Sequence, residues 1–229
     1  MTQVRACVDA LVQSQLYALA ARALADPDRL ATGDPVSDLE RVASGPGGTG
    51  PVAQAAAATR RLLRERAPTR RGLSQEYTEL FLKGTVSPYE SSYVPSMQGL
   101  ATLADVSGFL RAFGLKPRTD RADHVVSELE LLAFLCVKEG VALGGGEAPQ
   151  ARLCHEARAA FLRDHAGRWL PAYQRALAAR APRSIYTSLV DLVRMIVETD
   201  AAAVGVSPEE IQEVPSVGDA SPPTCGVVR

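Results

Sequence analysis

Apolar residues recur along this chain every three to five positions and nowhere sustain a period of two. A helix turns once in 3.6 residues, while a strand sends successive side chains to opposite faces, so the pattern confines the chain to helical packing. Val4, Val8, Leu11, Leu16 and Leu19 form one stripe of a long first helix that stops near Asp26-Pro27. Shorter helices are predicted over 36–43 and 52–66, on either side of a Gly/Pro-rich loop at 45–51. A fourth is predicted from Leu73 to Gly84, with Ser74 as its N-cap and Gly84 as its stop. Residues 85–95 carry two prolines, two tyrosines and no period, which predicts an ordered non-helical crossing.

Helix returns with Leu100, Leu103, Val106, Leu110 and Phe113 and ends at Gly114. Asp120 is placed to cap the next helix, whose Val125, Leu129, Leu132 and Cys136 face inward. Gly144-Gly145-Gly146 separates it from a helix carrying Leu153, Ala157 and Phe161, and a further one is built on Trp169, Tyr173 and Leu177. The last, after Pro182, carries Ile185, Leu189, Leu192, Val193, Ile196 and Val197. From Val204 onward there are four prolines and no stripe, so 204–229 reads as a loose C-terminal tail. The expected fold is all-α: a single-domain bundle of about eight to ten helices over 1–203, a length one core can serve.

Composition narrows the function. With 46% apolar and 22% charged residues the chain is neither disordered nor fibrous, and no apolar run approaches membrane-spanning length. Twenty-two arginines against three lysines still leave a net charge of −1, which gives no footprint for nucleic acid. The six arginines between Arg60 and Arg71 read as a solvated helix face and its exit loop. The start, Met1-Thr2-Gln3-Val4-Arg5, lacks the layout of a signal peptide, so a cytoplasmic protein with no stable membrane insertion is expected. Cys7, Cys136, Cys154 and Cys225 form no CxxC pair; Cys136 and Cys154 read as small apolar helix residues.

Catalytic patterns fail on context. Gly45, Gly47 and Gly50 spell GxGxxG, but the charged, helix-like Leu39-Glu40-Arg41-Val42 precedes them where a dinucleotide site needs a strand. Phosphate loops, nucleophile elbows and HExxH are absent from the sequence. His124 and Glu128 lie four apart on one helix face, and with His155 they sketch a metal-dependent enzyme, against the plainer reading of a helix-start histidine bonded to nearby acids.

Three segments in order resemble the TorD/DmsD/NarJ family of redox-enzyme maturation chaperones. The first is Tyr77-Thr78-Glu79-Leu80-Phe81 followed by Ser87-Pro88-Tyr89-Glu90-Ser91-Ser92-Tyr93. The second is Asp123-His124-Val125-Val126-Ser127-Glu128-Leu129, similar to the family's Asp-His-x-x-x-Glu-Leu signature. The third is Phe161-Leu162-Arg163-Asp164-His165 with Trp169-Leu170-Pro171-Ala172-Tyr173. The likeness spans roughly residues 75 to 200; Leu131-Leu132 stands where many members have Phe-Met.

The resemblance implies a cytoplasmic, non-catalytic chaperone with no cofactor of its own. Such a protein binds the catalytic subunit of a molybdopterin-dependent oxidoreductase, through its twin-arginine leader or another part, until the cofactor is inserted. It would act as a monomer or a swapped dimer. The alternative is a helical adaptor of the same fold with a different partner. A leader presents two arginines and an apolar stretch, so its receptor needs a hydrophobic groove and carboxylates. Tyr77, Leu80 and Phe81 on one helix face and Pro88, Tyr89, Glu90 and Tyr93 in the crossing are candidates for its wall. Asp123, Glu128 and Glu130 against Arg121 make the neighbouring segment acidic, and His124 would hydrogen-bond at the groove mouth. Two plainer readings stay open: Tyr77, Leu80 and Phe81 as core, and Asp123-His124 as the tie between the crossing and the following helix.

Overall fold

The computed structural model describes residues 2–29, 34–45 and 50–212. Within them the α-helices are α1 (Thr2–Leu24), α2 (Pro35–Ala43), α3 (Pro51–Arg66), α4 (Arg70–Tyr77), α5 (Ser96–Ala112), α6 (Val125–Gly144), α7 (Ala148–Phe161), α8 (Gly167–Arg180) and α9 (Ile185–Ala203). No strand occurs among the described residues, and the fold is the all-α bundle that the apolar spacing predicts.

The middle of the bundle is α6. Its Leu129, Leu131, Leu132, Leu135 and Cys136 are buried around the whole circumference, which suits a helix enclosed by neighbours. The longest contact is with α1. At Gly140 an added Cβ would sit 2.9 Å from the Leu11 side chain, so glycine is what allows that approach. The α1 stripe is wider than this contact: Leu16, Tyr17, Ala20 and Leu24 are buried, but Val4 is 70% exposed and Val8 also points outward. Behind α6, α8 and α9 enclose Trp169, Tyr173 and Tyr186.

Three boundaries differ from the sequence reading. The fourth helix starts at Arg70, because Thr69 Oγ1 caps it by accepting from Gly72 N at 3.1 Å; Ser74 instead donates to Asp28 at 2.7 Å. It then widens into a π turn over Thr78–Leu82 and ends at Gly84, whose φ of +77° suits glycine. His124, not Asp120, caps α6, its Nδ1 accepting from Val126 N at 3.1 Å. Finally, the two helices predicted around Phe161 and Trp169 form one rod, joined by a π turn over Leu162–Ala166.

After α9, residues 204–212 return along the rod: Ile211 N donates to Arg168 O at 2.9 Å, and Pro208 lies where a Cβ on Gly167 would come within 2.4 Å. The remainder of the expected tail, 213–229 with Cys225, and residues 46–49 of the Gly/Pro-rich loop lie outside the described residues.

Candidate functional site: a groove beneath the 85–95 crossing

The crossing is fastened at each step. Val86 N donates to Leu80 O at 2.8 Å, closing the chain back on the π turn. Tyr89 and His124 form an isolated antiparallel bridge, with Glu90 N bonded to Asp123 O and Val125 N to Pro88 O, both at 2.9 Å. The Asp123 carboxylate is fully buried and accepts from Ser91 N at 3.1 Å and from Arg121 Nε and Nη2 at 3.0 and 2.9 Å. Asp123 and His124 therefore tie the crossing to the start of α6, one of the two roles their sequence leaves open. Tyr93 closes the far end, its hydroxyl donating to Ser87 O at 2.8 Å and its ring lying 5.4 Å from Trp169.

Under this bridge a groove of about 440 Å³ opens between the end of α1, the Tyr77–Leu82 turn, Tyr89 and the first turns of α6. Ala21, Ala25, Tyr77, Leu82 and Val126 give it apolar walls, and Leu82 is largely exposed. Asp26, Asp120 and Glu130 stand among its lining carboxylates, with Arg22 and Arg118 as lining cations. The Tyr89 hydroxyl donates to both Asp120 oxygens, at 3.1 and 2.9 Å, and the Arg121 guanidinium lies 4.6 Å from the Tyr89 ring centre. Burial and the Asp120 bond push the Tyr89 hydroxyl up to about 12, so it stays a donor. Burial raises the Glu130 carboxyl, against Arg118 at 3.6 Å. His124 stands edge-on to Tyr89 at 5.2 Å, and burial lowers its pKa to about 4 despite Asp120 and Asp123 nearby. A neutral imidazole whose Nδ1 already accepts a backbone bond is a wall, not a base.

The ten residues singled out from sequence fall into three places. Tyr77, Tyr89 and His124 line the groove. Leu80, Phe81, Pro88 and Tyr93 are buried, and Phe81 packs edge-on against Tyr186 at 5.3 Å. Asp123 ties the bridge, while Glu90 and Glu128 lie behind it, bonded to His165 and Trp169. Sequence reasoning passed over Leu82, Arg118 and Asp26 as groove residues. Their signal was weak, since an exposed leucine or a loop arginine is ordinary on any surface. Elsewhere His155 bonds Glu139 at 3.0 Å, away from His124, and among the described residues no group of three or more His, Cys, Asp or Glu could hold a metal. Cys136 is buried, accepts from Arg158 at 3.1 Å, and its thiol is pushed up to about 12 by burial.

The nitrate reductase delta subunit family matches residues 47–174. The chain is 32% identical over 152 residues to the chlorate reductase assembly chaperone protein of Ideonella dechloratans, covering 63% of this chain and 77% of that one. It is 31% identical over 163 residues to the selenate reductase assembly chaperone protein of Thauera selenatis, covering 68% and 82%. With the chaperone protein TorD of Photobacterium profundum the identity is 27% over 149 residues, covering 61% and 67%. No solved structure gives a significant match.

Proposed function

This chain belongs to the TorD/DmsD/NarJ family of redox-enzyme assembly chaperones, which assist maturation rather than catalyse reactions, and from that premise we propose that its groove receives the arginine-bearing leader of a reductase catalytic subunit. The client is a molybdopterin-dependent oxidoreductase, held in the cytoplasm until its cofactor is in place. What carries the reading is the groove itself: apolar walls rimmed by Asp26, Asp120 and Glu130, next to the Tyr89–His124 bridge that ties the crossing to α6.

The chemistry of a leader fits those walls. Its apolar stretch gains roughly 25 cal/mol for each Å² it buries against Ala21, Ala25, Leu82 and Val126. Its guanidiniums seek planar pairs of acceptors, and Asp120 keeps lone pairs in reserve after accepting one phenol. Arg22 and Arg118 partly offset that field, which favours a few well-placed charges over a long basic segment. Among the described residues no helix is long and apolar enough to cross a membrane.

Calorimetric titration of a synthetic leader peptide, carrying the paired arginines and apolar stretch, tests this. Micromolar or tighter binding is expected, at about −8 kcal/mol, and Asp120→Asn with Glu130→Gln should weaken it about a hundredfold, since each of the two charged bonds contributes on the order of 1.5 kcal/mol. Absence of binding to both the leader and the cofactor-free subunit would sink the proposal. Capture from lysate of a partner without such a leader would favour the adaptor reading.

A further inference from the structure

Behind the Tyr89 wall, side chains from five segments meet, all of them out of water except the exposed Asp105. Trp169 Nε1, on α8, donates to Glu128 Oε2, on α6, at 2.8 Å. The other Glu128 oxygen is buried and meets no donor, and the nearby Glu90 carboxyl of the 90–92 turn adds its charge to the same site. Both Glu90 oxygens face His165 Nδ1, in the π turn, at 3.1 and 3.0 Å. His165 Nε2 lies 3.3 Å from Asp105 of α5, at ion-pair distance but without the alignment of a hydrogen bond.

Two neighbouring carboxyls in a dry site resist ionising together, so one of them favours its proton. Glu128 is 1% exposed, and burial and then the charge of Glu90 push its carboxyl well above the usual range. Of the two carboxyls it is the one that favours the neutral acid. Burial also raises Glu90, against the pull of His165. Burial opposes charge on His165, but Glu90 and Asp105 outweigh it and raise its pKa. The remaining groups facing the cluster do not supply a replacement: Asp123 is matched by Arg121, Asp164 by Arg163, and Phe109 and Phe161 close the sides of His165 at 5.6 and 4.9 Å.

We propose that Glu128, Glu90 and His165 form a proton-operated latch on the groove. Holding two protons, the latch clamps the 90–92 turn to α6 and the α7–α8 rod; losing either one sets carboxylate against carboxylate or leaves Glu90 unmatched. The turn then loosens, and with it the adjoining Tyr89. Only the final consequence, weaker retention of a bound peptide, rests on the groove reading above. The latch itself can be read without any peptide.

Trp169 is the chain's single tryptophan, so its indole N–H is one assignable signal bonded directly to the latch. In the full chain, labelled with ¹⁵N, that resonance is followed from about pH 5, above the ordinary carboxyl value, to about pH 9, well above the ordinary imidazole value. It should move sigmoidally, and the Tyr89 ring signals should move with it. Glu128→Gln keeps the indole acceptor and offers Glu90 an N–H, so it should lose most of that movement. An indole signal that stays still in the native protein, an unchanged titration in the variant, or Tyr89 signals that ignore the indole transition would each overturn the latch. In a parallel arm the synthetic leader should bind about tenfold more weakly above the transition, a difference of about 1.4 kcal/mol, and Glu128→Gln should abolish most of that change. A latch that titrates in a protein binding no leader at any pH would count against the groove reading alone.

Discussion

His124 and His165 brace the crossing from opposite sides, and both are buried, yet their pKa values are pushed in opposite directions. His124 adjoins Asp120 and Asp123, but those carboxylates are occupied by Tyr89 and Arg121, and its Nδ1 already accepts from the α6 backbone. Nothing there rewards a second ring proton, and burial decides. His165 meets both oxygens of a carboxylate that has no cationic partner besides it in the cluster, and pairing outweighs burial. The lesson is local: how the neighbouring acids are already engaged sets the charge of a buried imidazole more than depth does.

The strongest way to break the comparison is His165→Ala. It leaves Glu90 buried without its partner, and about 3–5 kcal/mol of stability should be lost in urea denaturation near neutral pH. A loss below about 1 kcal/mol would mean that the pair contributes little.

His124→Ala should cost about 1 kcal/mol through the lost helix cap, and His124→Asn, itself a good cap, should recover most of it. The two histidines also predict opposite pH dependence. The folded-state pKa of His124 is depressed, so its contribution is complete above about 6.5 and is lost as pH falls through about 4. That of His165 is raised, so its contribution is complete below about 6.5 and is lost as pH rises through the higher folded value. Thermal unfolding across pH checks both: His124→Asn should flatten the acid side alone. If it flattened the alkaline side, the assignment of charge states would be reversed.

Tyr89→Phe should produce the smallest effect. Its hydroxyl bond to Asp120 is exposed, so the stability cost should stay below about 1 kcal/mol. Leader affinity should change by more than stability does, because Asp120 loses the phenol that orients it. Calorimetry beside a denaturation curve separates the two quantities.

Much of the molecule was legible beforehand. The all-helical make-up and the non-helical crossing follow from local spacing and from prolines whose effect does not depend on distant partners, while the tie through Asp123 and His124 was one of two roles left open. The pairs behind the crossing were less accessible: Glu128 and Trp169 are 41 residues apart, and Glu90 and His165 are 75 apart. The family likeness placed all four in its motif segments without showing that the segments converge on one network. Leu80 and Phe81 were candidates for the groove wall because an aromatic helix face looks alike whether it meets a ligand or Tyr186.

Sequence alone determined which stretches are helical and the balance of apolar and acidic residues, since these depend on the period of the chain and on side-chain chemistry. Only the packed bundle decided that Tyr77 lines the groove while Phe81 fills the core, that the pKa of His124 is lowered while that of His165 is raised, and that Glu128 resists ionising. Each of these depends on which groups are brought within a few ångströms once water is gone, and a linear order of residues does not contain that distance.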